Sequence, residues 1–416
     1  MANSDDRLAR ALARARDKRD AESQLEIKKL REREDFIPEY GYFLDLYEDR
    51  SIKAIESRVG MPVALLLCLQ APVELFLAQG FFPVKIYSGS YSASNLTGAR
   101  LPALMCPTLK AVLGVTEMEP ELVKAPWVIP LTCDWIVRFK ETRELFGGFD
   151  AKVLELEVPR LKDGPLSSEL WLAEVWNLSR FLIDAGGAKL KASKLLSAIK
   201  RVEKVRALHV NLTQLRREGL IAPLWYTLVL SAFYYDLAEP YCSALTSLIS
   251  ALSKSGKVKE DAPGVFLTGS PIYFPNFKIY HLLEQAGLMV LGDDLCSSER
   301  LLPRHVEVSD RSERGLLRSL SETYHQGCLC PVFADNVHRA AIMREAVMGA
   351  DVRGVVFHLL KGCHPYDLDS FLLEDAVHDW GLKFLKIETD YSLEDSQNLL
   401  TRLEAFRATL EVKRAV

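Results

Sequence analysis

The sequence has no excess of basic residues and no uninterrupted apolar run of membrane-spanning length. Its 52 lysines and arginines are outnumbered by 56 acidic residues, which gives a formal net charge of −4. Proteins that bind nucleic acid or an anionic membrane need a basic surface. The two most apolar stretches, 62–82 and 221–245, are interrupted by proline and acidic residues, whereas a membrane helix needs about 20 mostly apolar residues. We therefore expect small soluble partners, no nucleic acid and no membrane.

The sequence also lacks an N-terminal secretory signal. Its first twenty residues are charged throughout and contain no apolar core, which predicts an exposed helix in a cytoplasmic protein. In that reducing compartment the eight cysteines are not expected to form disulfides. Their roles there are packing, catalysis or metal binding.

Short apolar runs alternate with helical patterns in two separate parts of the chain. The first part holds the predicted strands VALLLCLQ, FPVKIYSG and APWVIPLTCD, and the second holds GVFLTGS, LMVLGDDLC and LKFLKIETD. From about Ser167 to Ser255 only helical periodicity is found. This pattern predicts an α/β fold with two Rossmann-like or flavodoxin-like parallel-sheet domains. The predicted divisions are an N-terminal helical segment (1–58), a first α/β domain (59–165), a helical region (166–258) and a second α/β domain (259–416).

Six of the eight cysteines fall next to predicted strand ends or helix starts. Three of them follow predicted strands: Cys133, Cys296 and Cys363. The other three lie in loops that precede predicted helices: Cys106, Cys328 and Cys330. Ligands of an open parallel sheet bind beyond the carboxyl ends of its strands, so these thiols are predicted at the ligand-binding edge. The other two, Cys68 inside an apolar run and Cys242 in the helical region, are assigned to packing.

Six thiols from the loops of two domains suit an iron–sulfur cluster in the cleft between them. A cubane takes soft thiolate ligands, and helix N-termini direct N–H dipoles toward its negative charge. Zinc is a competing interpretation, although structural zinc sites use cysteine pairs spaced more widely than Cys-Leu-Cys. A third interpretation is that these six cysteines are unrelated thiols in loops.

Several stretches resemble one known family over most of the chain, from about Met61 to the end. APVELFLAQGFFPVKIYSG resembles the family's first βαβ stretch; MCP, TCD and KGC resemble its three cluster cysteines; LKIETDY followed by Gln397 and TRLEAF resembles its C-terminal signature. By these motifs the chain is similar to subunits of 2-hydroxyacyl-CoA dehydratases and benzoyl-CoA reductases. The resemblance implies one 4Fe-4S cluster bound by Cys106, Cys133 and Cys363.

Two further motifs resemble the additional ligands of one branch of that family, the double-cubane cluster proteins. DDLC at 293–296 and CLCP at 328–331 imply that Cys296, Cys328 and Cys330 bind a second cubane, joined to the first in an 8Fe-9S unit. The chain has Ser297 and Ser298 where a threonine and a glycine are expected in this cluster loop.

The resemblance also implies partners and a reaction. It implies an anaerobic, homodimeric enzyme that receives electrons from a separate ATP-hydrolysing iron–sulfur protein, and this chain has neither G-x-x-x-x-G-K-[ST] nor G-x-G-x-x-G with which to bind a nucleotide. Three functions stay open: a low-potential reductase of small molecules, a single-cubane subunit of a CoA-thioester dehydratase or ring reductase, and a non-catalytic metal or redox-sensing module. The six cysteines favour the first, because a single cubane leaves three of them without a ligand role.

Two smaller predictions concern catalysis and assembly. His364, directly after Cys363, is a candidate proton donor because histidine titrates near neutral pH; a helix-cap or surface role is an equal alternative. The segment 224–242, LWYTLVLSAFYYDLAEPYC, has more apolar surface than one helix normally buries. We therefore expect part of it to face the second chain of a homodimer.

Overall fold

The computed structural model describes residues 2–98, 100–258, 261–302, 304–334 and 337–411. Its helices are α1 (Ala2–Arg31), α2 (Gly41–Glu48), α3 (Ile52–Val59), α4 (Val73–Ala78), α5 (Tyr91–Leu96), α6 (Pro107–Met118), α7 (Asp134–Val137), α8 (Phe139–Glu144), α9 (Pro165–Asp184), α10 (Ala192–Arg217), α11 (Pro223–Ser231), α12 (Ala238–Leu252), α13 (Lys278–Gln285), α14 (Glu313–Gln326), α15 (Val337–Met348), α16 (His364–Asp379) and α17 (Ser396–Glu411). Its strands are β1 (Val63–Leu66), β2 (Phe82–Lys85), β3 (Trp127–Leu131), β4 (Val153–Glu157), β5 (Gly264–Gly269), β6 (Met289–Asp293), β7 (Val352–Leu360) and β8 (Lys383–Thr389). Short 3₁₀ helices cover Pro38–Tyr40, Pro120–Lys124 and Ala232–Tyr234.

The strands form two four-stranded sheets with the same internal order. The first runs β2-β1-β3-β4 and the second β6-β5-β7-β8, and every pairing in both is parallel. Their central strands are buried on both faces, as parallel strands covered by crossover helices must be. The predicted fold class, two Rossmann-like parallel-sheet domains with an N-terminal helix and a helical region between them, is confirmed. The predicted start of the second domain, residue 259, lies outside the described residues.

The helical region packs into the largest core of the molecule. Residues 224–230 of α11 are all buried, and Trp225 is stacked on Tyr40 at a centroid distance of 4.1 Å. Tyr241 of α12 is also fully buried. Most of the apolar surface of segment 224–242 is therefore covered by the chain's own helices. That part of it faces a second chain stays a prediction, for half-buried residues such as Tyr235 and Leu237. No helix among the described residues has both the length and the apolar character needed to cross a membrane.

Loops at the carboxyl ends of the two sheets contact each other directly. The amide of Gly89, after β2, donates a hydrogen bond to Phe274 O, after β5, at 3.0 Å. A Cβ on Gly89 would lie 2.0 Å from Tyr273 O, so no larger residue fits at this approach. In an open parallel sheet this edge is where ligands bind, and here the edges of both sheets face one cleft.

Candidate metal centre

Three cysteines lie at the starts of helices on the two facing sheet edges. Cys106 is the N-cap of α6, Cys133 the N-cap of α7 and Cys363 the N-cap of α16. We call these three residues the first thiol group. Pro107 occupies the first position of α6, where its fixed φ favours the helix and its missing N–H costs nothing. A cysteine directly before such a helix start presents its sulfur to the free N–H groups of the first turn.

Backbone N–H groups point at the sulfurs of the first thiol group. Cys106 receives those of Thr108 and Leu109, and Cys133 receives those of Ile136 and Trp135. Hydrogen bonds of this kind favour the thiolate over the thiol. For Cys133 burial outweighs them and raises its pKa to about 11.

Cys106 and Cys363 come from different domains and share a hydrogen bond between their sulfurs. The bond from Cys363 is the largest cause that lowers the pKa of Cys106, and the same bond raises the pKa of Cys363. One negative charge on this pair is thus favoured at Cys106. Cys133 also acts on the Cys363 thiol, so the three sulfurs form one electrostatic unit.

The turn before Cys363 holds the two domains together at this group. Gly362 has a φ of +75°, and a Cβ on it would lie 1.9 Å from Leu104 O. Only glycine combines that conformation with that approach. The Gly362 carbonyl in turn accepts a hydrogen bond from Trp135 Nε1 at 3.0 Å, which ties it to the residues that follow Cys133.

The other three predicted thiols lie together on the second side of the cleft. Cys296 follows β6, and Cys328 and Cys330 lie in the loop after α14. Negative charge on Cys296 raises the pKa of Cys328, after the larger effect of burial, and Cys328 acts in the same way on Cys330. Cys328 and Cys330 are in direct contact, because the backbone N–H of Cys330 donates a hydrogen bond to the Cys328 sulfur.

Cys68 joins these three, and its predicted position inside a strand is wrong. Strand β1 ends at Leu66, so Cys68 lies in the loop at the carboxyl end of the sheet. Burial raises its pKa to about 12, and the neighbouring Cys328 and Cys296 raise it further. We call Cys68, Cys296, Cys328 and Cys330 the second thiol group. Cys242, by contrast, packs half-buried against the apolar core, as predicted.

The backbone of Cys68 adopts a left-handed conformation that is rare for a residue with a side chain. Its φ is +69°, the only positive value outside glycine among the described residues. Its amide donates a hydrogen bond to the Tyr87 hydroxyl at 2.7 Å. Pro72, which caps α4, is the signal that could have corrected the prediction, because the residues before a helix-starting proline belong to a loop.

Two buried cations lie beside the second thiol group. Arg300 donates to Leu329 O, between the two cysteines of Cys-Leu-Cys, and to the Tyr366 hydroxyl, both at 2.7 Å. Its guanidinium lowers the pKa of Cys328, although burial has the larger opposite effect. Lys162, also buried, acts on Cys328 in the same direction. Sequence reasoning missed Arg300 because nothing in its neighbours marks it as buried.

Polar side chains fix the loop that carries Cys296. Ser298 donates to Asp293 Oδ1 at 2.6 Å, and Ser297 Oγ accepts the amide of Ile272 at 3.1 Å. Both serines are fully buried. The two departures from the family pattern thus supply hydrogen bonds that hold the loop on β6 and on the turn after β5.

His364 lies at the first position of α16, beside the first thiol group. Its side chain is exposed, and its ring lies 6.1 Å from that of Trp135 at an angle of 28°. This position places an imidazole at the mouth of the cleft, where its role as a proton donor stays a prediction.

The donor set fits iron–sulfur clusters. Within the described ranges, no three His, Cys, Asp or Glu side chains are close enough to hold a single metal ion, whereas the ligands of a cubane bind different iron atoms and lie farther apart. The groups offer soft thiolates, N–H donors and buried cations, which are the features that tune such clusters. Gln70 adds an amide N–H to Cys328 Sγ at 3.1 Å, and its buried Oε1 has no partner in the described structure.

The comparisons with known proteins point to one family. The model of the 2-hydroxyglutaryl-CoA dehydratase D-component matches residues 68–410. YjiM of Escherichia coli (strain K12), described as a dehydratase subunit, is 26% identical over 83% of this chain and 91% of its own. The (R)-phenyllactyl-CoA dehydratase beta subunit of Clostridium sporogenes is 22% identical over 89% of this chain and 98% of its own. The lactoyl-CoA dehydratase subunit beta of Anaerotignum propionicum is 20% identical over 84% and 92%.

Proposed function

This chain belongs to the 2-hydroxyglutaryl-CoA dehydratase D-component family, and we propose that it is an iron–sulfur enzyme with two cubanes, an 8Fe-9S unit, in the cleft between its α/β domains. Cys106, Cys133 and Cys363 would hold one cubane, and Cys296, Cys328 and Cys330 the other. A bound cluster of this kind supplies electrons at low potential. The chain's own residues stabilise the thiolates, exclude water and position a small-molecule substrate for reduction.

The second thiol group is the observation that carries this proposal. Its four sulfurs come from the loops after β1, β6 and α14, and buried Arg300 and Lys162 face them. A buried cation is costly without a negative partner. Arg300 has Asp294 at 3.9 Å, but that carboxylate binds Arg339 more closely, at 2.7 Å. A thiolate-bound cluster would supply further negative charge, whereas neutral thiols would not.

A dehydratase subunit that binds one cubane and a CoA thioester is the second candidate, and the comparisons favour it. The relatives named above are dehydratase subunits, two of them for 2-hydroxyacyl-CoA substrates by name. In this function the first thiol group alone would bind a cluster. The second thiol group and its buried cations would then be structural.

The partners follow from the same family membership. We propose that a separate ATP-hydrolysing iron–sulfur reductase delivers the electrons, because the sequence contains no nucleotide-binding glycine motif of its own. The relatives are named as subunits, which supports work in an assembly. A homodimer is the proposed form of this chain.

Iron content separates the two candidates. Anaerobically purified protein should carry about eight iron atoms per chain if both groups bind cubanes, against about four if one does. Cys330→Ser should lower the iron content to about half or less while circular dichroism stays native. Cys242→Ser, at the half-buried thiol of α12, is the control and should change neither. A wild-type value near four that Cys330→Ser leaves unchanged would return the chain to the dehydratase function.

A further inference from the structure

A recess beside the second thiol group is lined by two cations and no acid. Lys85 and Arg50 line it together with tyrosines, and its cavity volume is about 30 Å³. No aspartate or glutamate is among its lining residues. The Arg50 guanidinium makes cation–π contacts, with its Cζ 4.7 Å from the Phe274 ring centroid and 5.5 Å from that of Tyr47.

Lys85 is the unusual member of this wall. It is the last residue of β2 and only 8% exposed. Among the described residues the negative groups that act on its pKa are the thiols of Cys296, Cys68 and Cys328, and no carboxylate is among them. The Lys85 Nζ lies 4.9 Å from the centroid of the Tyr234 ring, a cation–π contact worth about 1–2 kcal/mol when desolvated. That is less than the cost of burying an unpaired ammonium. The site therefore favours a ligand that brings negative charge.

The hydroxyl groups of the recess suit the same ligand. The rings of Tyr87 and Tyr273 stack at a centroid distance of 4.6 Å with 14° between their planes. Burial raises the pKa of both hydroxyls, and negative charge on Cys68 and Cys296 raises it further. The Tyr87 hydroxyl also accepts the Cys68 amide. The recess is thus walled by O–H donors, and one of them, Tyr87, contacts the backbone of Cys68 in the second thiol group.

We propose that this recess binds a small monoanion of carboxylate size, with Lys85 as its counter-ion and Arg50 at its entrance. The inference rests on the proposed function only in taking the anion to be the substrate, because binding itself is measured without turnover. Burial lowers the pKa of Lys85 to about 8, so the side chain stays mostly protonated at neutral pH, in agreement with this role.

Formate and formamide are matched probes, since they have nearly the same size and differ in charge. Calorimetry in chloride-free buffer on the anaerobically purified full chain should show formate bound about tenfold or more tightly than formamide. Lys85→Met should abolish this preference, Arg50→Gln should weaken it, and both should retain the wild-type iron content. Lys53→Met, at an exposed lysine of α3, is the control and should keep the preference.

Equal affinity of the wild type for both probes would overturn the proposal, as would a preference that survives in Lys85→Met. Loss of iron in a folded Lys85→Met variant would also overturn it, because the ammonium would then be a counter-charge of the cluster. If the wild type itself holds no iron, the proposed function fails, yet the formate measurement still decides whether the recess binds anions.

Discussion

At Cys106 and Cys133 a thiolate would be stabilised by backbone N–H groups, whereas at Cys328 the side chains of Arg300 and Lys162 act in addition to the backbone N–H of Cys330. Arg300 is the main one, and its fork also holds the Leu329 carbonyl and the Tyr366 hydroxyl. Side chains can be exchanged without moving the backbone. The second thiol group is therefore the one whose electrostatics can be tested by substitution.

We expect Arg300→Met to lower the reduction potential of the cluster or to release the iron of the second thiol group. Removing a buried positive charge disfavours the added electron, and the Cys-Leu-Cys loop loses its anchor. Anaerobic redox titration and iron analysis measure both effects. Arg353→Gln, at an exposed arginine, should leave both values unchanged; a wild-type potential and iron content in Arg300→Met would refute this account.

Cys68 makes a second residue-scale prediction, on the metal-free protein. A left-handed conformation costs a residue with a side chain about 1–2 kcal/mol, so Cys68→Gly should be more stable to denaturant than Cys68→Ala by about 1 kcal/mol. Equal stability would mean that the loop relaxes. Strain of this kind is kept where a side chain is needed for function, which supports a role for the Cys68 thiol beyond packing.

At the scale of elements, the close turn at Gly362 positions the first thiol group. A methyl group there would meet Leu104 O, so we expect Gly362→Ala to separate Cys363 from Cys106. The variant should lose the iron of the first group and at least about 2 kcal/mol of unfolding free energy. Gly256→Ala is the matched control, because a Cβ at Gly256 meets nothing within 4 Å. Full iron content in Gly362→Ala would contradict the role assigned to the turn.

The change from apolar to polar residues at the end of a strand explains why the loop position of most thiols could be predicted, and its absence explains why that of Cys68 could not. Cys133, Cys296 and Cys363 each follow a strand at a visible change from apolar to polar residues, so their loop positions could be predicted. At Cys68 the apolar letters continue past the strand, because Leu67 is buried as well. Composition cannot distinguish a buried loop from a longer strand. A related ambiguity holds for segment 224–242, since apolar content does not say whether the chain's own helices or a second chain cover it.

At the scale of the whole molecule, two buried neutral histidines link stability to pH. Burial lowers the pKa of His209 from 6.5 to about 3 and that of His358 from 6.5 to about 4. As the pH falls, the unfolded chain therefore protonates these two histidines at a higher pH than the folded protein does. Their contribution to stability is complete above pH 6.5 and is lost as the pH falls toward the folded pKa values.

Between pH 7 and pH 5 we expect a loss of about 2 kcal/mol per histidine, measured by chemical denaturation. His209→Gln, which can keep a hydrogen bond to the Tyr241 hydroxyl, should remove about half of this pH dependence. His378→Gln, at an exposed histidine, should leave the pH dependence intact. An unchanged slope in His209→Gln would show that other groups govern acid stability.

The two sheets have the same strand order, although the sequence reveals only a shared rhythm and no repeat. A parallel sheet fixes the alternation of strands and helices, but many different apolar residues fill its core equally well. The fold class could therefore be predicted from pattern alone. The joining of two sheet edges at Gly89 and Gly362 could not, because it depends on contacts between residues that are far apart in the chain.

Each thiol group draws on both halves of the chain, with Cys68, Cys106 and Cys133 from the first half and the other four members from the second. On the ribosome, neither group is complete until the last part of the chain has been synthesised. A chain that ends before Cys330 therefore holds a complete set of ligands for neither of the proposed cubanes. If the thiol groups bind iron as proposed, truncated chains that end before Cys328 should therefore contain no cluster, which iron analysis of such chains measures.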